Sequence, residues 1–353
     1  MGVGVNSAGQ HVSPTVTTHS LSSFKHTLKS TDHLSKTFTM RYTISACLIA
    51  LASAGAIYNS KSSLPQVHEI VQVPNVWFEN AALRSNGDLL LTTIGEGKIY
   101  TLNTATKPPK PHAVVTVDGV NALSGIVEVA QDVFAVTGHV FEGNVLNNTM
   151  NLSLLKFSGS GVSVRTVFEK SKYGPVNGIV ALPHHRHVIL AADSARGEVL
   201  RIDTTTGHIE VAIKDDQLAP IAGGLFPVGV NGLKIFKNYL YFTNTARQAL
   251  GRVKIDNMGN RIGDIQIIAK LEKDSQYAPD DLAIDKHGNA YVVYWQDRLV
   301  KITPQGKQTV LVEGLLAGPT SAVFSKDHKT LYVVTAGQND DKVSGGQVVE
   351  VKL

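Results

Sequence analysis

The sequence predicts an all-β protein, a six-bladed β-propeller closed by an N-terminal strand. Beyond residue 65 the helical period is nearly absent, and short runs of alternating apolar residues bounded by Gly, Asn and Asp take its place. One sequence pattern recurs in this region. It consists of a polar residue, an apolar strand, a tight turn, a second apolar strand, and a third strand of alternating basic and apolar residues. A repeat of about 40 to 55 residues with three or four strands per copy is typical of β-propellers.

The copies of this repeat set the predicted number of blades. They begin near Glu79, Ser124, Asn177, Asn231, Asp280 and Thr320. The strand HEIVQV precedes the first copy without a partner of its own, and the last copy ends at Leu353. We therefore expect the N-terminal strand to complete the last blade of a propeller over residues 66–353, because closing the ring removes exposed sheet edges.

A different composition marks the chain before the repeats. A basic start at Met40 precedes the apolar run TISACLIALASAGA, which ends in small residues and is too short to span a bilayer comfortably. These parts predict a signal peptide at residues 40–56, cleaved near Ala54 or Ala56, and hence a secreted protein without a stable membrane span. Residues 1–39, rich in Ser, Thr and His, are interpreted as the product of a wrongly chosen start codon, with an organelle transit segment as the alternative.

Composition and charge exclude several classes of function. The 353 residues are 43% hydrophobic and 18% charged, which is typical of a globular protein. Residues 1–58 carry four basic groups and one acid, so removing them lowers the formal net charge from +4 to +1, and no basic patch remains to bind nucleic acid. The one cysteine, Cys47, lies in the predicted signal, which leaves the mature protein without a thiol nucleophile or a disulfide. We expect a monomer that binds small apolar substrates.

The second copy of the repeat contains a polar insertion with two glycosylation motifs. Asn147-Asn148-Thr149 and Asn151-Leu152-Ser153 both fit the acceptor pattern. A polar loop of a secreted protein tolerates glycans, so Asn147 and Asn151 are predicted glycosylation sites.

Polar residues at the start of four copies predict the functional site. In a propeller the innermost strand of each blade lines a central channel, so the residues that open these strands meet at one mouth of that channel. The four are Glu79, Asn177, Asn231 and Asp280. Two carboxylates and two amides form a donor set for a hard cation such as Ca²⁺, Mg²⁺ or Zn²⁺. The alternative is that each Asn-Gly pair only marks a turn and that Asp280 or Asp281 caps a loop.

Two segments, VNGLKIFKNYLYFTNT and APDDLAIDKHGNAYVV, resemble the gluconolactonase and regucalcin-like six-bladed propellers, with strictosidine synthase a more distant relative. The resemblance extends over roughly residues 66–353. In the metal-dependent members a Glu, two Asn and an Asp at the blade starts hold a divalent ion, and the Asp is also the general base of lactone hydrolysis. The resemblance gives these roles to Glu79, Asn177, Asn231 and Asp280.

The chain departs from that family at three of its motifs. Glu79-Asn80-Ala81 replaces Glu-Gly-Pro, Asn177-Gly178 replaces Asn-Asp, and Pro279-Asp280-Asp281 replaces Pro-Asp-Gly. The usual sugar-binding Arg has no clear counterpart. These departures weigh against recognition of a polyhydroxylated lactone.

The chain most resembles a fungal secreted branch of the family. The features that carry this resemblance are the predicted signal peptide, the sequence of the fourth copy and the missing sugar contacts. The best-defined members of that branch are hetero-Diels–Alderases, which join a tropolone o-quinone methide to a humulene-type sesquiterpene. The resemblance therefore implies a secondary-metabolite cycloaddition that requires no cofactor, although a divalent cation remains an option. A secreted metal-dependent lactonase and a non-catalytic binding propeller are the alternatives.

Cycloaddition needs two partners held in a reactive pose and donors near the developing negative charge. Asn177, Asn231 and Lys234 are the predicted donors, and Asp280 completes the predicted catalytic set. The predicted substrate-binding residues are Trp77, Phe78, Phe226, Tyr277, Trp295 and Thr320. For the aromatic residues among them, packing between blades is the alternative role.

Overall fold

The computed structural model describes residues 65–353 except 160, 224–226, 272–274 and 340–341. The predicted signal peptide, the extension before it and Phe226 lie outside the described residues. Within the described part every regular element is a β-strand, which confirms the predicted all-β class. That part accordingly contains no helix with the length and apolar character needed to cross a membrane.

The strands form six four-stranded units, numbered here in the order of their first strands. The first three units comprise β2 (Trp77–Leu83), β3 (Leu89–Ile94), β4 (Lys98–Leu102) and β5 (His112–Thr116); β6 (Ala122–Ala130), β7 (Val133–His139), β8 (Met150–Ser158) and β9 (Gly161–Ser171); and β10 (Val176–Leu182), β11 (His185–Asp193), β12 (Glu198–Asp203) and β13 (Ile209–Lys214). Units one and two are joined into one sheet through the single pair of Ile94 and Ala122.

The remaining strands form units four to six. They are β14 (Val230–Phe236), β15 (Tyr239–Asn244), β16 (Ala249–Lys254) and β17 (Gln266–Lys270); β18 (Ala278–Ile284), β19 (Ala290–Trp295), β20 (Arg298–Ile302) and β21 (Gln308–Val312); and β22 (Pro319–Phe324), β23 (Thr330–Thr335), β26 (Gly346–Lys352) and β1 (Gln66–Val73). A short pair, β24 (Gln338–Asn339) and β25 (Lys342–Val343), precedes β26.

The N-terminal strand pairs with the C-terminal strand. The antiparallel ladder of β1 and β26 runs from Gln66 opposite Lys352 to Val73 opposite Gly346. The first strands of the six units contact one another in a cycle, from β2 through β6, β10, β14, β18 and β22 back to β2. The first strands therefore surround a shared centre.

The core is divided among the interfaces between units. Each of six buried apolar clusters draws its residues from two neighbouring units, and the last joins unit six to unit one. Side chains on alternate faces of a strand thus pack toward different neighbours, as the period of two requires. This arrangement explains why second strands such as β3 and β15 are buried on both faces, whereas outer strands such as β5 and β21 are largely exposed.

Hydroxyl side chains also join neighbouring units. The Thr92 hydroxyl donates to the Ser124 carbonyl oxygen at 3.0 Å, and the Ser124 hydroxyl donates to the Val176 carbonyl oxygen at 2.7 Å. The same link recurs from Ser194 to Val230, from Thr245 to Pro279 and from Thr320 to Phe78. Each bond pairs a buried carbonyl of the next first strand, which would otherwise be costly to leave unpaired.

Candidate functional site

One cavity brings the four predicted polar residues together. It has a volume of about 260 Å³. Its lining residues are Trp77, Glu79, Asn177, Val228, Asn231, Thr245, Ala278, Pro279, Asp280 and Trp295. We call it the tryptophan cavity. It lies where β2, β10, β14 and β18 begin.

A backbone irregularity near the start of each of these strands exposes the polar side chains. The pairing register shifts between Phe78 and Ala81 in β2, and shifts at the matching position in β10, β14 and β18. Two residues per strand therefore have no direct partner in the ladder, and a bulge of this kind redirects a side chain. The polar residue that opens each repeat occupies the first of these two positions.

The glycines after the two asparagines are explained by close approach of the next unit. A Cβ atom on Gly178 would lie 2.5 Å from the Asn231 carbonyl oxygen, and one on Gly232 would lie 2.5 Å from Oδ1 of Asp281. Both Asn-Gly pairs lie inside strands. The alternative interpretation, that they mark turns, is therefore wrong.

Two tryptophans form the apolar wall of the tryptophan cavity. The rings of Trp77 and Trp295 lie 5.8 Å apart at an interplanar angle of 34°. The Trp77 indole N–H donates to Oε2 of Glu79 at 2.9 Å, which fixes the ring relative to the polar floor. Gly318 leaves space behind Trp295, since a Cβ atom there would lie 3.1 Å from the ring. The result is an aromatic surface directly beside a polar one.

The floor of the tryptophan cavity concentrates negative charge. Burial raises the pKa of Glu79 to about 7; the hydrogen bond from Trp77 opposes this, and the charge of Asp281 adds to it. Burial, followed by the charges of Glu79 and Asp281, raises the pKa of Asp280 well above its ordinary value. Such carboxyl groups favour a bound proton or a bound cation.

Lys234 neutralises part of this charge from below the tryptophan cavity. Its Nζ lies 2.7 Å from Oδ1 of Asp281, whose side chain is only 2% exposed. The Ser321 hydroxyl donates to the other carboxylate oxygen of Asp281 at 2.7 Å. Lys234 was predicted to donate to substrate directly, but its ammonium is paired with Asp281 and is not part of the cavity lining.

The amide of Asn231 is oriented as a ligand would require. Its Nδ2 donates to the Thr245 hydroxyl at 3.0 Å, while its Oδ1 is buried without a hydrogen-bond partner among the described residues. With Glu79, Asn177 and Asp280 around the same cavity, this donor set fits a divalent cation. The described residues contain no cluster of three His, Cys, Asp or Glu side chains that could hold a metal. This finding is compatible with a cation site in the tryptophan cavity, because two of its four donors are asparagine amides.

Three predicted substrate-binding residues lie elsewhere. Phe78 is fully buried in the core cluster between units six and one. Tyr277 lines a separate cavity of about 230 Å³, with the Arg298 guanidinium 3.6 Å from its ring centroid. Thr320 is 1% exposed, and its hydroxyl donates to the Phe78 carbonyl oxygen. Phe78 and Thr320 are therefore too buried to contact a substrate in this structure, whereas contact with Tyr277 stays a prediction outside the tryptophan cavity.

The two predicted glycosylation sites differ in exposure. Asn147 is exposed in the loop before β8. Asn151 is 4% exposed within β8, and its Oδ1 accepts a hydrogen bond from the Lys170 backbone N–H at 2.9 Å. The fold leaves no room for a glycan on Asn151, whereas Asn147 stays a prediction.

Two residues near the tryptophan cavity were not predicted from sequence. The Phe141 ring lies 6.5 Å from that of Trp77 in an edge-to-face arrangement. His139 is 2% exposed, and its Nε2 lies 2.9 Å from the carbonyl oxygen of Val176, which precedes Asn177. His139 ends the second strand of unit two, as Trp295 ends that of unit five, and Phe141 lies two residues beyond His139. That shared position was the available signal.

The fold and the tryptophan cavity define a propeller-like all-β protein with an aromatic wall and a polar, acidic floor. Residues 228–337, which include Asn231, Asp280 and Trp295, match the family described as SMP-30/Gluconolactonase/LRE-like region. The resemblance to the gluconolactonase and regucalcin-like family is thereby confirmed.

Two relatives extend the similarity over most of the chain. A protein of Phoma sp described as a candidate hetero-Diels-Alderase is 27% identical over 338 residues, covering 83% of this chain and 95% of the relative. A second candidate hetero-Diels-Alderase, from Sarocladium schorii, is 25% identical over 322 residues, covering 80% of each protein.

Solved structures share the fold at lower identity. A luciferin-regenerating enzyme superposes with a TM-score of 0.62 at 18% identity, covering 82% of this chain and 95% of that one. A regucalcin of Agrobacterium tumefaciens superposes with a TM-score of 0.60 at 14% identity, covering 80% and 92%. These likenesses show the propeller-like fold.

Proposed function

We propose that this protein is a secondary-metabolite pericyclase of the hetero-Diels–Alderase type, which joins a tropolone o-quinone methide to a humulene-type sesquiterpene in the tryptophan cavity. The observation that carries the proposal is the pair of Trp77 and Trp295 beside the acidic and amide floor. The names of the two relatives that match most of the chain support the same reaction class.

The proposed site depends on a closed six-bladed ring. In this proposal the six units are the blades, and β1 closes the ring by completing the sixth. The cycle of contacts between first strands and the six interface clusters support this architecture. A closed ring holds the four polar residues at one mouth although they are distant in sequence.

The proposed chemistry consumes two π bonds and forms two σ bonds. The C=C–C=O unit of the quinone methide adds across an alkene of the sesquiterpene, forming one C–C and one C–O bond without loss or gain of a proton. Because no nucleophile is required, the protein contributes mainly by positioning, which is worth several kcal/mol of the barrier. The planar quinone methide stacks against Trp77 and Trp295 with its oxygen toward the floor.

Hydrogen-bond donors on the floor lower the barrier further. The Asn177 amide donates to the quinone methide oxygen, which gains negative charge as the bonds form. A protonated Glu79 or Asp280 donates to the same oxygen, a state that their raised pKa values favour near neutral pH. A divalent cation held by Glu79, Asn177, Asn231 and Asp280 would supply Lewis-acid polarisation of this oxygen.

A metal-dependent lactonase is the second candidate, and it is favoured by Oδ1 of Asn231, which has no hydrogen-bond partner in the part of the chain that the structure describes. Hydrolysis requires a deprotonated Asp280 as general base, and a nearby cation would lower the pKa that burial raises. The two candidates therefore differ in the protonation state that they require of Asp280.

Purified protein assayed with simple lactones, and with a generated quinone methide plus humulene alcohol, separates the two. For the pericyclase we expect faster and stereoselective coupling, and only a small rate loss in Asp280→Asn, because coupling abstracts no proton. A lactonase would lose about 10²-fold or more in Asp280→Asn and would be inhibited by chelator. Chelator-sensitive lactone hydrolysis, without any rate or stereochemical effect on coupling, would refute the pericyclase.

We also propose that the protein is secreted as a monomer after removal of residues 40–56. The apolar run after Met40 supports this. N-terminal sequencing of secreted protein should begin after Ala54 or Ala56. Recovery of peptides from residues 1–39 in mature protein would contradict it.

A further inference from the structure

The tryptophan cavity is too small to enclose both proposed substrates. Its volume is about 260 Å³, whereas pockets for single drug-sized ligands occupy roughly 300–1,000 Å³. With the planar partner stacked against the tryptophans, the larger terpenoid partner must extend past the mouth. It therefore needs apolar surface that continues from the tryptophan wall.

Phe141 supplies such a surface. Its partly exposed side chain contacts the edge of Trp77 at 6.5 Å between ring centroids, with an interplanar angle of 67°. Phe141 is not part of the cavity lining. The ring therefore continues the aromatic surface from Trp295 through Trp77 beyond the residues that line the cavity.

A side-chain amide holds the backbone of Phe141. Oδ1 of Asn121 accepts from the Phe141 N–H at 2.7 Å, and Nδ2 of Asn121 donates to the Phe141 carbonyl oxygen at 2.9 Å. Asn121 is itself fixed, because its N–H donates to the His139 carbonyl and its carbonyl accepts from the Gly97 N–H. This two-point clamp pre-organises Phe141 before any ligand arrives, which reduces the entropic cost of binding.

We propose that Phe141, positioned by Asn121, determines specificity for the apolar partner and binds the terpenoid chain at the mouth of the tryptophan cavity. The inference rests on the proposed function and adds the substrate that this part of the wall contacts. A purely structural role, in which Phe141 only supports Trp77, would affect both substrates alike. The two roles thus differ in substrate selectivity.

Tryptophan fluorescence offers a binding assay that does not require turnover. The chain has two tryptophans, and both line the tryptophan cavity. Humulene alcohol and, separately, tropolone are titrated into wild type, Phe141→Ala, Phe141→Leu and Asn121→Ala. Phe236→Ala is the matched control, since Phe236 is also partly exposed but lies at the opposite end of β14 from Asn231. Thermal unfolding of each variant checks that it is folded.

We expect Phe141→Ala to bind humulene alcohol about tenfold more weakly, as truncation of an aromatic contact residue does, with tropolone binding unchanged. Phe141→Leu should give an intermediate loss, Asn121→Ala a loss of about threefold, and Phe236→Ala no loss. If folded Phe141→Ala and Phe141→Leu bound humulene alcohol with wild-type affinity, the role of Phe141 would be overturned, but the proposed function would not. Equal losses for both ligands would also overturn it, in favour of the structural role. A wild-type protein that binds neither ligand would overturn the proposed function together with it.

Discussion

Units one, three, four and five use the same backbone irregularity as units two and six, but with different side chains. All six first strands shift register near their start. In units two and six the opening residue is Ser124 or Thr320, and its short hydroxyl donates to the neighbouring strand. In the other four units it is a longer carboxylate or amide that lines the tryptophan cavity. The backbone thus creates six equivalent positions, and side-chain length and chemistry decide whether a position joins units or forms the site.

The largest expected effect is on the free energy of unfolding and concerns His139, whose ring joins unit two to the Val176 carbonyl oxygen of unit three. Burial lowers the pKa of His139 to about 4, well below its ordinary value of about 6.5. Because the unfolded chain takes up the proton first, the stabilisation is complete above about pH 6.5 and decreases as the pH falls to about 4, by about 3 kcal/mol. Glu79 and Asp280, whose pKa values are raised, add stability as the pH falls over the same range, so the difference between wild type and His139→Gln in denaturant unfolding measures the loss. His139→Gln should remove this part of the pH dependence; an unchanged slope in that variant would contradict the assignment.

A smaller effect on stability is expected at Gly232, where the irregular start of β14 lies against that of β18. Gly232→Ala places a Cβ atom 2.5 Å from Oδ1 of Asp281 and 2.7 Å from its Cα. Overpacking against backbone should lower the free energy of unfolding by about 2 kcal/mol. Gly159→Ala is the control, because no atom lies within 4 Å of the added Cβ. Equal stability of the two variants would show that β14 and β18 are not held in close contact.

The smallest expected effect on stability comes from substituting one opening residue that joins units, Thr320, and one that lines the tryptophan cavity, Asp280. Thr320→Val removes one buried hydrogen bond and should lower the free energy of unfolding by about 1 kcal/mol without changing ligand affinity. Asp280→Asn should not destabilise the fold, because burial, followed by the charges of Glu79 and Asp281, disfavours the ionised carboxylate that it removes. Chemical denaturation and tryptophan fluorescence titration of both variants provide the measurements. Loss of ligand affinity in Thr320→Val would remove the distinction between the two classes of position.

The repeat phase predicted the polar floor because a bulge at a fixed offset in each copy turns the same residue toward the centre. Side-chain direction next to that position was harder to predict. Trp77 and Phe78 are adjacent, so they point to opposite faces of β2, and only Trp77 reaches the cavity. Thr320 has the correct phase, but its hydroxyl is short enough to bond the Phe78 carbonyl instead.

Contacts between distant parts of the chain were not accessible from sequence. Lys234 lies three residues beyond Asn231 in β14, and its pairing with Asp281 of the next unit depends on how closely the two strands approach. Phe141 contacts Trp77 from the loop inserted in unit two, whose start is held by hydrogen bonds to Asn121. Such contacts follow from the packing of units, which the repeat pattern does not encode.

In the proposed reaction the tryptophan wall controls the stereochemistry of the cycloaddition. The stereoisomer ratio of the product formed from a generated quinone methide and humulene alcohol, by wild type and by Trp295→Ala, tests this role. We expect one dominant stereoisomer from wild type, formed faster than in the uncatalysed reaction, and a ratio close to the uncatalysed one from Trp295→Ala. A wild-type product with the uncatalysed rate and stereoisomer ratio, or full selectivity retained in Trp295→Ala, would contradict it.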